Sequence, residues 1–116
     1  MLKRTVLVGS FAIALALTSS PAWANDFSAS LPGGQVNWVD GSNRMNCHDT
    51  GNAAENVVCQ LMRPNGNINH LLNTGGNGTT TSETYPGMTE NEAISIRVCR
   101  VNGPITACSN WESGFS

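Results

Sequence analysis

Four cysteines, Cys47, Cys59, Cys99 and Cys108, all lie downstream of an N-terminal segment built like a cleavable export signal. A small chain with that arrangement is expected to leave the cytoplasm and to close its cysteines as disulfides in an oxidising compartment. The signal has three parts: a basic start at Lys3 and Arg4, an apolar run from Val6 to Leu17, and the small residues Ala22 and Ala24 on either side of Trp23. Cleavage is expected after Ala24, with residues 25–116 secreted as a single domain. The apolar run is broken by Gly9 and Ser10 and falls short of the roughly 20 residues that span a bilayer, so no stable membrane insertion is expected.

Past the signal, the basic residues are Arg44, Arg63, Arg97 and Arg100, with no lysine. Against them stand Asp26, Asp40, Asp49, Glu55, Glu83, Glu90, Glu92 and Glu112. The balance is negative, the wrong sign for tracking a phosphate backbone, and no nucleic-acid partner is expected. A domain of this size buries a thin core, and cross-links are the usual remedy.

Apolar residues recur at spacing two and turn formers interrupt them every eight to twelve residues, the pattern of short β-strands. Strands are predicted from Gln35 to Asp40, where Val36 and Trp38 share a face, and from Arg44 to His48, Val57 to Arg63 and Ile68 to Leu72. The run Asn73 to Ser82 begins as a glycine-rich loop and becomes an edge strand toward Tyr85. Ala93 to Val101 follows, with Ile94, Ile96 and Val98 on one face, and Thr106 to Trp111 is the last strand. Pro64-Asn65-Gly66-Asn67 reads as a tight turn. Seven short strands predict an all-β fold, a small immunoglobulin-like or fibronectin III-like antiparallel sandwich.

The last hairpin predicts a disulfide. A loop centred between Gly103 and Pro104 sets Cys99 opposite Cys108, at a separation a disulfide tolerates. The same register would set Ile96 against Trp111, Arg97 against Asn110 and Ser95 against Glu112, placing the Cys99–Cys108 bridge on the outward, polar face. Cys47 and Cys59 then pair across the loop Asp49 to Asn56. The rival connectivity joins Cys59 to Cys99 and Cys47 to Cys108, since third and sixth strands are often neighbours in such sandwiches.

The run Ile94-Ser-Ile-Arg-Val-Cys-Arg-Val-Asn-Gly to Ala107-Cys-Ser-Asn-Trp111, preceded by Arg44-Met-Asn-Cys-His-Asp49, resembles small secreted actinobacterial β-sandwich proteins of uncharacterised function, and the final hairpin is similar to that of fibronectin type III domains. The resemblance implies the sandwich and a bacterial source, and it implies no catalytic or binding residue. The disulfides depart from the fibronectin pattern.

Chemistry has few carriers. The two imidazoles past the signal, His48 and His70, with Asp49 beside the first, match no compact zinc spacing, and they read as surface residues rather than metal ligands. A serine nucleophile would need an elbow motif that is absent. The acids are scattered rather than paired for glycoside cleavage. Asp40, Asn43, Asp49, Asn52 and Glu55 could offer oxygen to calcium but match no EF-hand loop, and Asx turns explain them. The Thr79-Thr80-Thr81 run reads as a polar loop, and Asn77-Gly78-Thr79 as a coincidental glycosylation sequon. Trp38 and Trp111 read as core. No catalytic residue, metal or cofactor is therefore expected.

The expectation is a secreted, monomeric, non-catalytic binding module for an extracellular protein or carbohydrate, with Asp49, Asn52, Glu55, Asn77, Thr79 and Thr81 as possible binding-loop residues. A secreted inhibitor of a protease or glycosidase is the alternative, presenting a basic side chain at Arg63-Pro64 or Arg100. A small hydrolase using His48 or His70 is the third class considered.

Overall fold

The structure is a computed structural model, and it describes residues 26–51 and 55–116. The segment expected to be an export signal therefore lies outside the described residues, as does Asn52. Among the described residues nine strands form: β1 (Phe27–Leu31), β2 (Gly34–Val39), β3 (Arg44–Asp49), β4 (Asn56–Met62), β5 (Ile68–Asn73), β6 (Thr80–Thr84), β7 (Ala93–Val101), β8 (Ile105–Cys108) and β9 (Glu112–Phe115). They make two antiparallel sheets. One has the order β1-β2-β3-β6, and the other the order β5-β4-β7-β8 with β9 also paired to β7.

Period two builds the sandwich as expected. Val36 and Trp38 on β2, Met45 and Cys47 on β3, and Ile96 and Val98 on β7 point inward and are fully buried. Each large side chain so buried contributes about 1.5–3 kcal/mol. Trp38 sits at one end of this core, with its ring centroid 6.1 Å from that of Tyr85. The turn after β2 is a short 3-10 segment, Asp40–Ser42, closed by Asn43 in the left-handed region at φ 48°.

Both disulfides of the preferred connectivity are present, Cys47–Cys59 and Cys99–Cys108. They do different work. Cys47 lies on β3 and Cys59 on β4, so the first bridge joins the two sheets through the core, and both residues are fully buried. Cys99 and Cys108 face each other across β7 and β8, on the side of the sheet away from the core. Cys99 is nevertheless fully buried, under its outer-face neighbours.

The expected count of seven strands is corrected at both ends of the chain. Phe27–Leu31 adds a strand before β2, each residue in register from Phe27 opposite Trp38 to Leu31 opposite Gly34. The single last strand is two. The predicted register holds at Cys99–Cys108 and Arg100–Ala107, but it shifts between Arg100 and Val101, where Val101 faces Ile105. Past Cys108, Ile96 faces Glu112 and Ser95 faces Ser113, one residue out of step. The cause is Ser109. Its Oγ accepts the Val98 N–H at 3.1 Å while its own N–H donates to the Val98 carbonyl at 2.8 Å, so the side chain takes a rung of the ladder and one residue is added. Trp111, expected in the core opposite Ile96, is turned instead to the outer face, where the Arg97 guanidinium carbon lies 4.5 Å from its ring centroid.

The lateral seam between β1 and β9 is closed by the Phe27 ring lying against Gly114, where a Cβ would come within 2.5 Å of it. Glycine is required there.

Candidate functional site

Four connections meet at one end of the sandwich: the β1–β2 turn at Pro32 and Gly33, the β3–β4 loop, the β5–β6 loop and the β7–β8 turn at Asn102. Backbone hydrogen bonds lock them together. Thr50 donates to Gly33 O at 3.1 Å, Gly78 donates to Asp49 O at 2.7 Å, and Asp49 donates to Thr79 O at 3.0 Å. The two loops singled out from the sequence are thus brought side by side through Asp49. The close approach of the first pair demands glycine, because a Cβ on Gly51 would lie 2.5 Å from Gly33 Cα.

Beside this junction lies a cleft of about 390 Å³ lined by Pro32, Gly33, Gly51, Glu55, Val57, Arg100 and Asn102. Its charged wall is a pair. Arg100 Nε stands 3.5 Å from Glu55 Oε1, and Arg100 Nη1 donates to the Pro32 carbonyl at 3.1 Å. Thr106 Oγ1 lies 3.3 Å from Glu55 Oε2. The guanidinium therefore joins Pro32 of the β1–β2 turn, Glu55 just before β4 and the end of β7, with one cation and one anion beside the cleft.

Asn73, at the end of β5, organises the neighbouring loop and was missed at the sequence level. It is fully buried, and its Nδ2 donates to Cys47 O at 2.9 Å and to Thr79 O at 3.1 Å, while its Oδ1 accepts the Gly75 N–H at 2.8 Å. Thr79 Oγ1 lies 2.6 Å from Gly76 O and 3.1 Å from Asn73 Oδ1, and its single proton serves the shorter contact. A buried amide satisfied on both sides fixes a loop in one conformation.

The sequence-predicted residues divide accordingly. Asp49 is buried, with Oδ1 accepting the Gly51 N–H at 3.1 Å, and it shapes the loop from beneath. Glu55 lines the cleft and Asn77 is exposed on the loop crest. Thr79 is structural. Thr81 is not a loop residue, since it sits within β6 opposite Cys47. Asp40 and Asn43 lie at the far end of β3 from Asp49 and Glu55, so among the described residues the oxygen donors considered for calcium are not gathered.

The two histidines stand on opposite outer faces. His48 on β3 has Nδ1 2.7 Å from Thr80 Oγ1, and His70 on β5 has Nδ1 3.1 Å from Gln60 Nε2. Asp49 points inward from the strand on which His48 points outward, so it cannot orient that ring. Among the described residues no three His, Cys, Asp or Glu side chains gather in metal-binding geometry.

The inhibitor alternative places a basic side chain at Arg63-Pro64 or Arg100. Arg63 is held by Glu92 through Nε to Oε2 at 2.8 Å and Nη2 to Oε1 at 2.9 Å, and Arg100 is held as described. Neither is displayed alone.

A second arrangement occupies the outer face of the five-stranded sheet. From His70 it passes to Gln60, 3 % exposed, whose Oε1 accepts Arg97 Nε at 2.5 Å, and then to the Trp111 ring. It is a row across three strands that ends in the β8–β9 connection, and the register shift at Ser109 supplies its last member.

Comparison with protein-family models, with curated proteins and with solved structures finds no match to this chain.

Proposed function

We propose that this protein is an exported, non-catalytic binding module that recognises an extracellular protein or carbohydrate through the loop end of an immunoglobulin-like sandwich. The strand order β2-β3-β6 facing β5-β4-β7-β8, with connections that change sheet after β3, β5 and β6, supports the immunoglobulin-like reading. Two disulfides with no free cysteine support an oxidising compartment.

The observation that carries the proposal is the convergence of four connections around the Glu55–Arg100 cleft, with the adjoining loop fixed by Asn73. Loops set on a rigid sandwich are the usual place for recognition, and a pre-ordered loop loses less entropy on binding. That same rigidity favours the second reading, a secreted inhibitor of a hydrolase, with the Asn73–Thr79 loop as the presented segment instead of an arginine.

The test replaces residues 74–77 by a Gly/Ser segment together with Arg100→Ala, and compares binding on a glycan array and capture of extracellular proteins with those of an Asn65→Ala/Glu90→Ala variant at the opposite end. Binding is expected to fall at least about tenfold in the first variant only, a loss of about 1.4 kcal/mol. Equal binding by both variants would refute the loop-end assignment.

A further inference from the structure

The strand β5 ends its sheet, and among the described residues its hydrogen-bonding strand partner is β4 alone. The Arg63 N–H donates to Asn67 O at the base of the β4–β5 hairpin, which fixes the phase of the ladder. Bonded rungs alternate in an antiparallel pair, so Asn69, Leu71 and Asn73 bond to β4. The N–H and C=O of Ile68, His70 and Leu72 therefore point to the open edge. The side chains of the same three residues face outward and are exposed, Ile68 at 40 % and Leu72 at 52 %.

Exposed edges are normally protected by charge, proline, a bulge or a covering segment. The segment Ile-Asn-His-Leu-Leu-Asn has no Asp, Glu, Lys, Arg or proline, and its register with β4 is unbroken. The other sheet is treated differently: β1 is covered by the Phe27–Gly114 seam, and β6 carries Glu83.

We propose that the β5 edge is the docking site for a second copy of this chain, which adds its own β5 antiparallel across a two-fold axis in place of the monomer expected from the sequence. Opposed residues in an antiparallel pair share a face, and a two-fold axis through the His70 rung is the one placement that pairs all three outward residues. It sets His70 against His70 of the partner subunit and Ile68 against Leu72 of the partner subunit. Apolar meets apolar on both sides of the axis, and about six backbone hydrogen bonds form. The two five-stranded sheets become one continuous sheet. The segment is self-complementary without a charged residue, which suits two copies of the same net-negative chain better than an unrelated charged peptide.

A single strand pair lies at the small end of interface sizes, so the association is weak. Sedimentation equilibrium of the secreted chain is expected to show the average mass rising from one chain toward two between about 10 µM and 1 mM. Leu72→Lys, at an exposed position, is expected to remain a single chain over that range with unchanged thermal unfolding. His70→Cys places two cysteines about 5.5 Å apart across the axis, within disulfide reach, and is expected to cross-link under mild oxidation, whereas Ser82→Cys on β6 is not. A constant single-chain mass up to 1 mM would overturn the proposal, as would equal association by the Leu72→Lys chain. Cross-linking of Ser82→Cys as readily as His70→Cys would also overturn it.

Discussion

The side chain of Asn73 on β5 holds the backbone carbonyl of Cys47 on β3, with Nδ2 2.9 Å from that oxygen, so one buried amide ties the two sheets together beside the disulfide that also joins them. The loop end is thereby anchored to the most rigid part of the core. Replacing Asn73 by Ala removes one donor from each of the Cys47 and Thr79 carbonyls, the latter still accepting the Asp49 N–H, and takes the acceptor from the Gly75 N–H. It is expected to cost about 2–4 kcal/mol in urea unfolding, as three hydrogen bonds of a fully buried amide are lost together. Amide exchange at Gly75 to Thr79 is expected to accelerate more than exchange in β7.

The two disulfides are expected to be unequal. Each closes a ring of similar size, with sequence separations of 12 and 9, so the chain-entropy contribution is about 3 kcal/mol for either. Cys47→Ala/Cys59→Ala also opens a void between the sheets, and it is expected to lose a further 1–2 kcal/mol or so beyond Cys99→Ala/Cys108→Ala. Urea unfolding of the two double variants measures the difference.

Tyr85 is the sole tyrosine of the chain and packs half-buried against the core beside Trp38. Burial, and secondarily the Glu83 carboxylate, pushes its phenol up from 10.0 to about 12. Tyrosinate absorbance near 295 nm should therefore titrate with a midpoint near 12 in the folded protein and near 10 in denaturant. The folded form holds the phenolic proton more tightly. This contribution to stability is full below pH 10 and is lost as pH rises toward 12.

The fork between Arg63 and Glu92 joins the β4–β5 turn to the approach of β7. The guanidinium hydrogen bonds hold the Glu92 carboxyl below its usual 4.5. The resulting stability is present above that value and is lost as pH falls through the lowered one. Glu92→Gln is expected to cost about 1 kcal/mol at pH 7. Its unfolding free energy should also fall less steeply with pH below 4.5 than that of the unsubstituted chain.

The cysteine pairing on β7 and β8 was legible because Asn102-Gly103-Pro104 places a hairpin turn between them, although the register at the turn, Val101 opposite Ile105, reaches that of the cysteines only through a shift between Arg100 and Val101. That legibility stopped at Ser109, where a hydroxyl replaces a backbone rung; hydrophobic spacing carries no sign of such a substitution. Trp111 was misplaced for this reason, and with it the outer row through Arg97 and Gln60. The strand Phe27–Leu31 was legible, since Phe27, Ala29 and Leu31 alternate with serines and pack against the core, and was overlooked beside the expected cleavage point; β9 was hidden because Glu-Ser-Gly-Phe has no apolar alternation. At the loop end, Asp49 and Glu55 were found as loop residues. Asn73 was not, because an asparagine that ends a strand inside an Asn- and Gly-rich run looks the same whether it turns the chain or is buried beneath it.

Recognition at the loop end is the central claim, and chemical-shift mapping tests it most directly. The folded, isotopically labelled chain would be titrated with a ligand taken from the glycan or capture screen. The largest amide shifts are expected at Gly33, Gly51, Gly75 to Asn77 and Asn102, around the Glu55–Arg100 cleft. Shifts concentrated on Gln60, Arg97 and Trp111, or at the opposite end around Asn65 and Glu90, would contradict it.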